Sequence, residues 1–401
     1  MAMATMLALC FTACDKGSDA PLAVDKSTLP ADTVASTVVP VDYTLGRAMN
    51  ARLGKGINLG NSWDSDGYDD GGWSNPIDDG DFKLIKDAGF NSIRLPVRFQ
   101  SFSDYSTHTV DSARLQGVYE DVSLAIANGL AVVLDFHHYM ELNALGGGAH
   151  RGRADSIALF QAEKEHFVGL WAQIATVFNA FPDSMLVFDI LNEPTIPNAG
   201  LVNDVLLSAY TVIRAAAPGK TIMFESNNAA KFAQLSILKL PPDGNIIFSG
   251  HYYEPYTFSH QGNGYDCRGD ALYSNNASND FLTYARLAKT NYPDINGGYI
   301  PMNMGEFGVA GGNTRHSCFD LRKDPSGIVL KDSTGTIIRD LTGPSDQLKA
   351  LWAKETVKAA ETYGISFHYW GFTRVGGFEA YDRENNTWLP GFPEALIHPE
   401  L

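Results

Sequence analysis

Met185-Leu186-Val187-Phe188-Asp189-Ile190-Leu191-Asn192-Glu193-Pro194 is the stretch that decides the fold. Met185 to Leu191 is an almost unbroken apolar run, the pattern of a strand covered on both faces. It runs straight into a carboxylate. Ile300-Pro301-Met302-Asn303-Met304-Gly305-Glu306 repeats the arrangement, with its proline at the start, where a strand tolerates it. Two carboxylates at the same ends of two buried strands can face each other across one cleft. Cleavage of a glycosidic bond requires such a pair.

Six more runs of the same kind lie around these two: Lys55–Gly60, Ser92–Val97, Ala131–His137, Thr221–Glu225, Ile246–His251 and Ser366–Trp370. Amphipathic stretches alternate with them at Asp81–Ala88, Asp111–Asn128, Ser156–Asn179, Leu201–Ala216, Asn279–Asn291 and Ser345–Tyr363. A weaker helical pattern covers Ala229–Leu238, and Glu394–Ile397 supplies a closing turn. No proline interrupts the long stretches. Ser345 is placed to cap the last of them, and Gly89, Gly129 and Gly364 each follow a helix where a left-handed residue is wanted. Eight β–α alternations in one stretch point to an α/β fold, a (β/α)8 TIM barrel with long loops. The structural alternative is a doubly wound open sheet, but no phosphate-cradling glycine motif follows any strand. After the seventh strand, 311–344 is an insertion whose Ile328–Leu330 and Ile337–Ile338 read as a β-hairpin.

The chain has 401 residues and a formal net charge of −16. Such an acidic protein repels nucleic acid and anionic membrane but not a neutral polysaccharide. Residues 1–14 form a short apolar run ending Phe11-Thr12-Ala13-Cys14, too short to span a bilayer. It resembles a lipoprotein export signal with Cys14 as the lipidated residue, although no Lys or Arg precedes the run. Residues 15–44 are rich in Ser, Thr, Asp, Pro, Ala and Val and read as a flexible tether, leaving 45–401 as one domain. The expected location is therefore outside the cell, as an outer-membrane or cell-surface lipoprotein or a secreted protein. The only membrane contact would be the N-terminal lipid. In that setting Cys267 and Cys318 could pair as a disulfide; the alternative is two unpaired thiols.

Functional side chains of such a barrel gather at the C-terminal strand ends. Those ends supply Asn58, Asn61, Arg94, His137, His138, Asn192, Glu193, Glu225, His251, Tyr253, Glu306 and Trp370. A structural network accounts for two or three of these polar groups, poorly for all of them together. His138 follows His137 on a strand and should point to the opposite face. Glu225 is a third strand-end carboxylate and reads as a supporting group. Trp63, Trp73, Tyr139, Tyr256 and Trp388 lie in loop-like sequence, where a ring stacks on sugar or simply packs. The Asp64–Gly71 loop lacks the spacing of an EF-hand and reads as solvated, and adjacent His137 and His138 lack the separation of common zinc pairs. No metal and no cofactor are expected.

The motifs Gly56-Ile57-Asn58-Leu59-Gly60-Asn61, Ile93-Arg94-Leu95-Pro96, Asp135-Phe136-His137-His138, Leu191-Asn192-Glu193-Pro194, His251-Tyr252-Tyr253, Gly305-Glu306-Phe307-Gly308 and Tyr369-Trp370-Gly371 together resemble glycoside hydrolase family 5. The resemblance covers about 50–375, with seven motifs in family order. It implies that Glu193 is the general acid/base and Glu306 the nucleophile. Arg94 and Tyr253 would hold Glu306 ionised, leaving Glu193 protonated. Asn192 would meet the sugar 2-hydroxyl, His137 and His251 would position the reacting groups, and Trp370 would floor the sugar. A cis Trp370–Gly371 peptide is a further family expectation. Pro194 should bias Glu193 toward extended backbone.

The activity so implied is a retaining endo-β-1,4-glucanase acting on cellulose-like glucan or its oligosaccharides as a monomer. Mixed-linkage glucanase, xyloglucanase and mannanase are alternatives within the family. A metal-dependent barrel hydrolase and a non-catalytic carbohydrate-binding protein are alternatives outside it.

Overall fold

The computed structural model describes residues 38–400 except 66, 68–71, 144–155, 197, 262–271 and, save 326, 328 and 333, 312–343. The described residues fall in one unit, Val38–Leu401. Eight strands form a closed parallel barrel: β1 Lys55–Asn58, β2 Ser92–Val97, β3 Ala131–Phe136, β4 Leu186–Asp189, β5 Thr221–Glu225, β6 Ile246–Tyr252, β7 Met302–Phe307 and β8 Ser366–Tyr369. Each strand pairs with the next, and β8 returns to β1. This is the (β/α)8 barrel that the alternating sequence pattern predicts.

Helix α1, Thr44–Leu53, precedes β1. The other long helices are α2 Asp79–Asp87, α3 Ser112–Ala127, α4 Ser156–Phe178, α5 Ala199–Ala216, α6 Ala277–Asn291 and α7 Asp346–Thr362, and the short α8, Glu394–Ile397, closes the chain. Helix α2 opens two residues before its predicted start because Asp78 and Asp81 form a reciprocal capping box. The helix expected over Ala229–Leu238 does not form. Asn228 and Ala229 take positive φ, the Lys231 backbone bridges to His251, and only a 3-10 turn follows at Phe232–Ile237.

The main core lies between the barrel and its helices. A second small cluster fills the barrel itself: Ala131, Val133, Val187, Met223 and Ile247, closed from below by Met49 and Leu53 of α1. The tether expected over 15–44 ends earlier than its composition suggests: Tyr43 is 1% exposed and Val41 bridges to Asp294. The folded body therefore takes in the last residues of the 15–44 stretch. The proposed export signal, Cys14, most of the tether, and Cys267 and Cys318 lie outside the described residues, as does nearly all of the 311–344 hairpin. No described helix is long and apolar enough to cross a membrane.

Candidate active site

Arg94 sits above the apolar plug with no exposure. Parallel register brings it beside Asn58 of β1 and Val133 of β3. Four carboxylates surround its guanidinium: Asp135 at 3.1 Å, Asp189 at 3.4 Å, Glu225 at 3.1 Å and Glu306 at 2.9 Å. It also donates to Asn192 Oδ1 at 2.8 Å and Asn58 Oδ1 at 3.2 Å. One cation cannot neutralise four buried anions. Burial pushes Asp135 up to about 7 against the pull of Arg94, and lifts Asp189 well above the carboxylate range.

Glu306 meets Arg94 through Oε1 and the Tyr253 hydroxyl through Oε2, the latter at 2.9 Å. Asn58 fixes the peptide before it, donating to Gly305 O at 3.0 Å. A Cβ on Gly305 would lie 2.7 Å from Ser249 Oγ and 3.1 Å from His251 Nε2, so the glycine lets β6 crowd the strand that carries Glu306. A register shift between Gly250 and His251 then sets His251 opposite Glu306.

Glu193 stands beyond the end of β4. Its φ of 46° is left-handed, not the extended backbone expected before Pro194. Glu225 accounts for the difference: its Oε2 accepts the Glu193 backbone N–H at 2.7 Å. Glu193 Oε1 is 2.8 Å from His251 Nδ1, and His251 Nε2 is 3.0 Å from Glu225 Oε1. The Glu193 side chain keeps 36% exposure against 7% for Glu306. One carboxylate oxygen of each and a nitrogen of His251 all lie within 4.8 Å of one another.

The surroundings bias the site's protons away from the expected order. Burial works against a charged His251, but Glu225 and Glu306 carry it well above the usual histidine range. Burial raises Glu193, yet the hydrogen bond and charge of His251 outweigh it and hold Glu193 below its ordinary value. Burial raises Glu306, with His251 and Arg94 opposing. These opposite shifts favour a charged His251 beside a charged Glu193. Glu225 is held at about 2, with burial overcome by His251 and Arg94.

Trp370 lies parallel to the His137 ring, 4° between planes and 5.9 Å between centroids. A Cβ on Gly60 would come 2.4 Å from that indole, so only glycine leaves room for it. The Trp370–Gly371 peptide is cis, as the family resemblance implies. Asn192, Glu193, His137, His138, His251, Tyr253, Glu306 and Trp370 line one cleft of about 350 Å³. Asn58 and Glu225 lie beneath that lining, fully buried. His138 does not point away from His137. Its φ of 55° breaks the strand alternation, and the two ring centroids lie 4.3 Å apart.

The loop aromatics divide. Trp63 is buried, bonds Asp121 Oδ2 at 2.6 Å and packs under Arg114, so it is core. Tyr139 is buried too, with its hydroxyl on Glu163 and its ring on Phe136. Trp388 packs with Phe90 and Tyr381. Trp73 is 49% exposed and turns an edge toward His138, and Tyr256 stacks on His260 in the cleft wall. Asp64 is buried rather than solvated. The sequence gives no role to Asp135, which stands in a family motif, or to Asp189, although an acid inside an apolar strand run is itself a signal. Nor does it mark Lys231, Glu254, His260 and Phe378 in the cleft wall, which lie on irregular segments.

Two groups among the described residues have donors close enough for a metal ion: Glu193–His251–Glu306 and Asp64–His137–His138. In the first, Arg94 and Tyr253 already occupy both Glu306 oxygens, and the guanidinium opposes a cation.

The family model for cellulase (glycosyl hydrolase family 5) matches residues 54–372. The chain belongs to glycosyl hydrolase family 5. Its relatives include endoglucanase H of Acetivibrio thermocellus, 27% identical over 219 residues, 54% of this chain and 22% of that protein. Cellodextrinase A of Ruminococcus flavefaciens is 30% identical over 214 residues, 52% of this chain and 60% of that protein. The chain thus spans less than two thirds of either relative. Thermotoga maritima Cel5A, solved with mannotriose, superposes with a TM-score of 0.69 at 26% identity, covering 88% of this chain and all of that one.

Proposed function

We propose that this family 5 chain is a retaining endo-β-1,4-glucanase. One observation carries the reading: Glu193 and Glu306 bring carboxylate oxygens within 4.8 Å of each other. Retaining enzymes hold the pair roughly 5–5.5 Å apart, whereas inverting ones leave about 6.5–9.5 Å for a water between them. The relatives named endoglucanase and cellodextrinase support a β-glucan substrate.

In the first step a Glu306 oxygen attacks the anomeric carbon. The bond to the leaving oxygen breaks, and Glu193 delivers a proton to that oxygen, drawing on the proton it shares with His251. Tyr253 and Arg94 orient the attacking carboxylate. Formation of the ester removes the Glu306 charge, and Arg94 stays paired with Glu225. In the second step water attacks the same carbon, Glu193 takes its proton, and Glu306 leaves as a carboxylate. Asn192 offers its amide to the sugar 2-hydroxyl while its oxygen is tied to Arg94. Trp370 supplies the apolar floor.

The mannotriose bound by the Thermotoga relative supports a second reading in which mannan is also cut. Proton NMR of the first-formed product tests the mechanism: a β-anomer released from β-glucan supports retention, and an α-anomer refutes it. Side-by-side rates on carboxymethylcellulose, lichenan, xyloglucan and mannan separate the substrate readings.

A further inference from the structure

We propose that Asp64, His137 and His138 form a binding site for a divalent transition-metal ion of the zinc class in the cleft wall. The ion and the sugar would exclude each other there. One nitrogen from each histidine and one Asp64 oxygen lie within 4.8 Å of one another. The left-handed turn at His138 creates this convergence by bringing adjacent rings to one side, 76° between planes.

Asp64 supplies the independent observation. It is fully buried, and its Oδ1 accepts the Ser62 N–H at 2.8 Å. Its Oδ2 is also buried and has no hydrogen-bond partner among the described residues; His138 Nε2 lies 3.8 Å away. A buried carboxylate oxygen without a donor is costly, and a cation is the partner that satisfies it.

His137 is prepared as a ligand. His137 Nδ1 lies 2.5 Å from Asp135 Oδ2, and with Nδ1 as the donor the ring lone pair falls on Nε2. A carboxylate behind a histidine is the usual support of a metal-binding imidazole. Two imidazoles and one carboxylate suit zinc and its neighbours, whereas calcium and magnesium prefer more oxygens. Donors in a tetrahedral zinc shell stand about 3.3 Å apart. The 3.8 Å gap closes by a small swing of the His138 side chain, which is 36% exposed.

The same His137 lone pair would otherwise meet a sugar hydroxyl. Zinc should therefore compete with substrate, and this second half rests on the proposed glycosidase reading. The test is calorimetric titration of zinc ion into chelator-treated, full-length protein without sugar. Wild type should bind at this site, and Asp64→Asn should weaken binding by about tenfold or more. Glu193→Gln should leave it unchanged. If Asp64→Asn does not fold, His138→Asn, which tolerates positive φ, replaces it. Unchanged affinity in a folded variant overturns the site, as does loss of binding in Glu193→Gln, which would put the ion between the glutamates. Repeating the titration with cellobiose should weaken zinc binding. Equal affinity with a sugar shown separately to bind would overturn the exclusion. Failure to hydrolyse any β-glucan would instead remove the enzymatic reading and leave the sugar-free titration standing.

Discussion

Glu193 and Glu306 bring carboxylate oxygens within 4.8 Å of each other, and His251 Nδ1 stands 2.8 Å from Glu193 Oε1 and 3.5 Å from Glu306 Oε2. The two acids differ in every other contact. Glu306 has a guanidinium and a phenol, while Glu193 has one imidazole and an open side toward the cleft. That asymmetry is what the proposed division of attack and proton transfer rests on.

Glu193→Gly and Glu306→Gly should each lower turnover by at least about 10³-fold while folding is retained. Azide should restore turnover to Glu193→Gly on an activated aryl cellobioside, because that leaving group needs no acid. Steady-state rates with and without azide check this. Wild-type-like turnover in either variant would contradict the assignment.

The pH profile of kcat/KM should be bell-shaped. Glu306 must be ionised to attack, and burial raises its pKa, so activity should fall on the acid side at a pH above the ordinary glutamate value of about 4.3. On the alkaline side, His251 is held well above its usual range, so activity should persist past about 6.5 and fall at higher pH. Tyr253→Phe removes a donor to the ionised form of Glu306 and should move the acid limb further up. An acid limb that stays put or moves down would contradict the role of Tyr253.

Glu225→Gln should cost both stability and turnover. The folded pKa of Glu225, about 2, lies below its unfolded value, so its contribution is present above the unfolded pKa and lost as pH falls toward 2. At neutral pH the substitution should cost on the order of 3 kcal/mol, and the gap to wild type should close on acidification. Loosening the Glu193 backbone should also lower kcat by about 10–100-fold. Urea unfolding at neutral and acid pH, with kcat alongside, checks it. A stability gap that does not vary with pH would contradict the linkage.

Gly60→Ala should behave as a Trp370 variant. The new methyl would strike the indole and tilt the sugar floor, reducing kcat/KM by about tenfold or more. Kinetics of Gly60→Ala beside Trp370→Ala check it, and an unaffected Gly60→Ala enzyme would contradict the contact.

The barrel was legible because its strands are near-continuous apolar runs between glycine-terminated helices. Helix α1 was not read, although its buried Gly46, Met49, Asn50 and Leu53 keep helical spacing; its polar residues hide the period. Strand-end positions located Glu193, Glu306, Arg94 and Tyr253 because parallel register gathers them at one end. Backbone that leaves the strand was not legible: the left-handed turns at Glu193 and His138 reverse side-chain directions that alternation predicts. The proton distribution also escaped, since it depends on His251 touching Glu193 and Glu225 at once, a contact made only by the folded chain.

Trapping the glycosyl ester tests most directly whether Glu306 bonds to sugar while Glu193 moves the proton. A 2-deoxy-2-fluoro cellobioside with an activated leaving group should trap the intermediate, and peptide mass spectrometry should locate the added sugar. The label should fall on Glu306, with slow reactivation when a sugar acceptor is added. A label on Glu193 or Glu225, or turnover to an inverted product with no trapped ester, would contradict it.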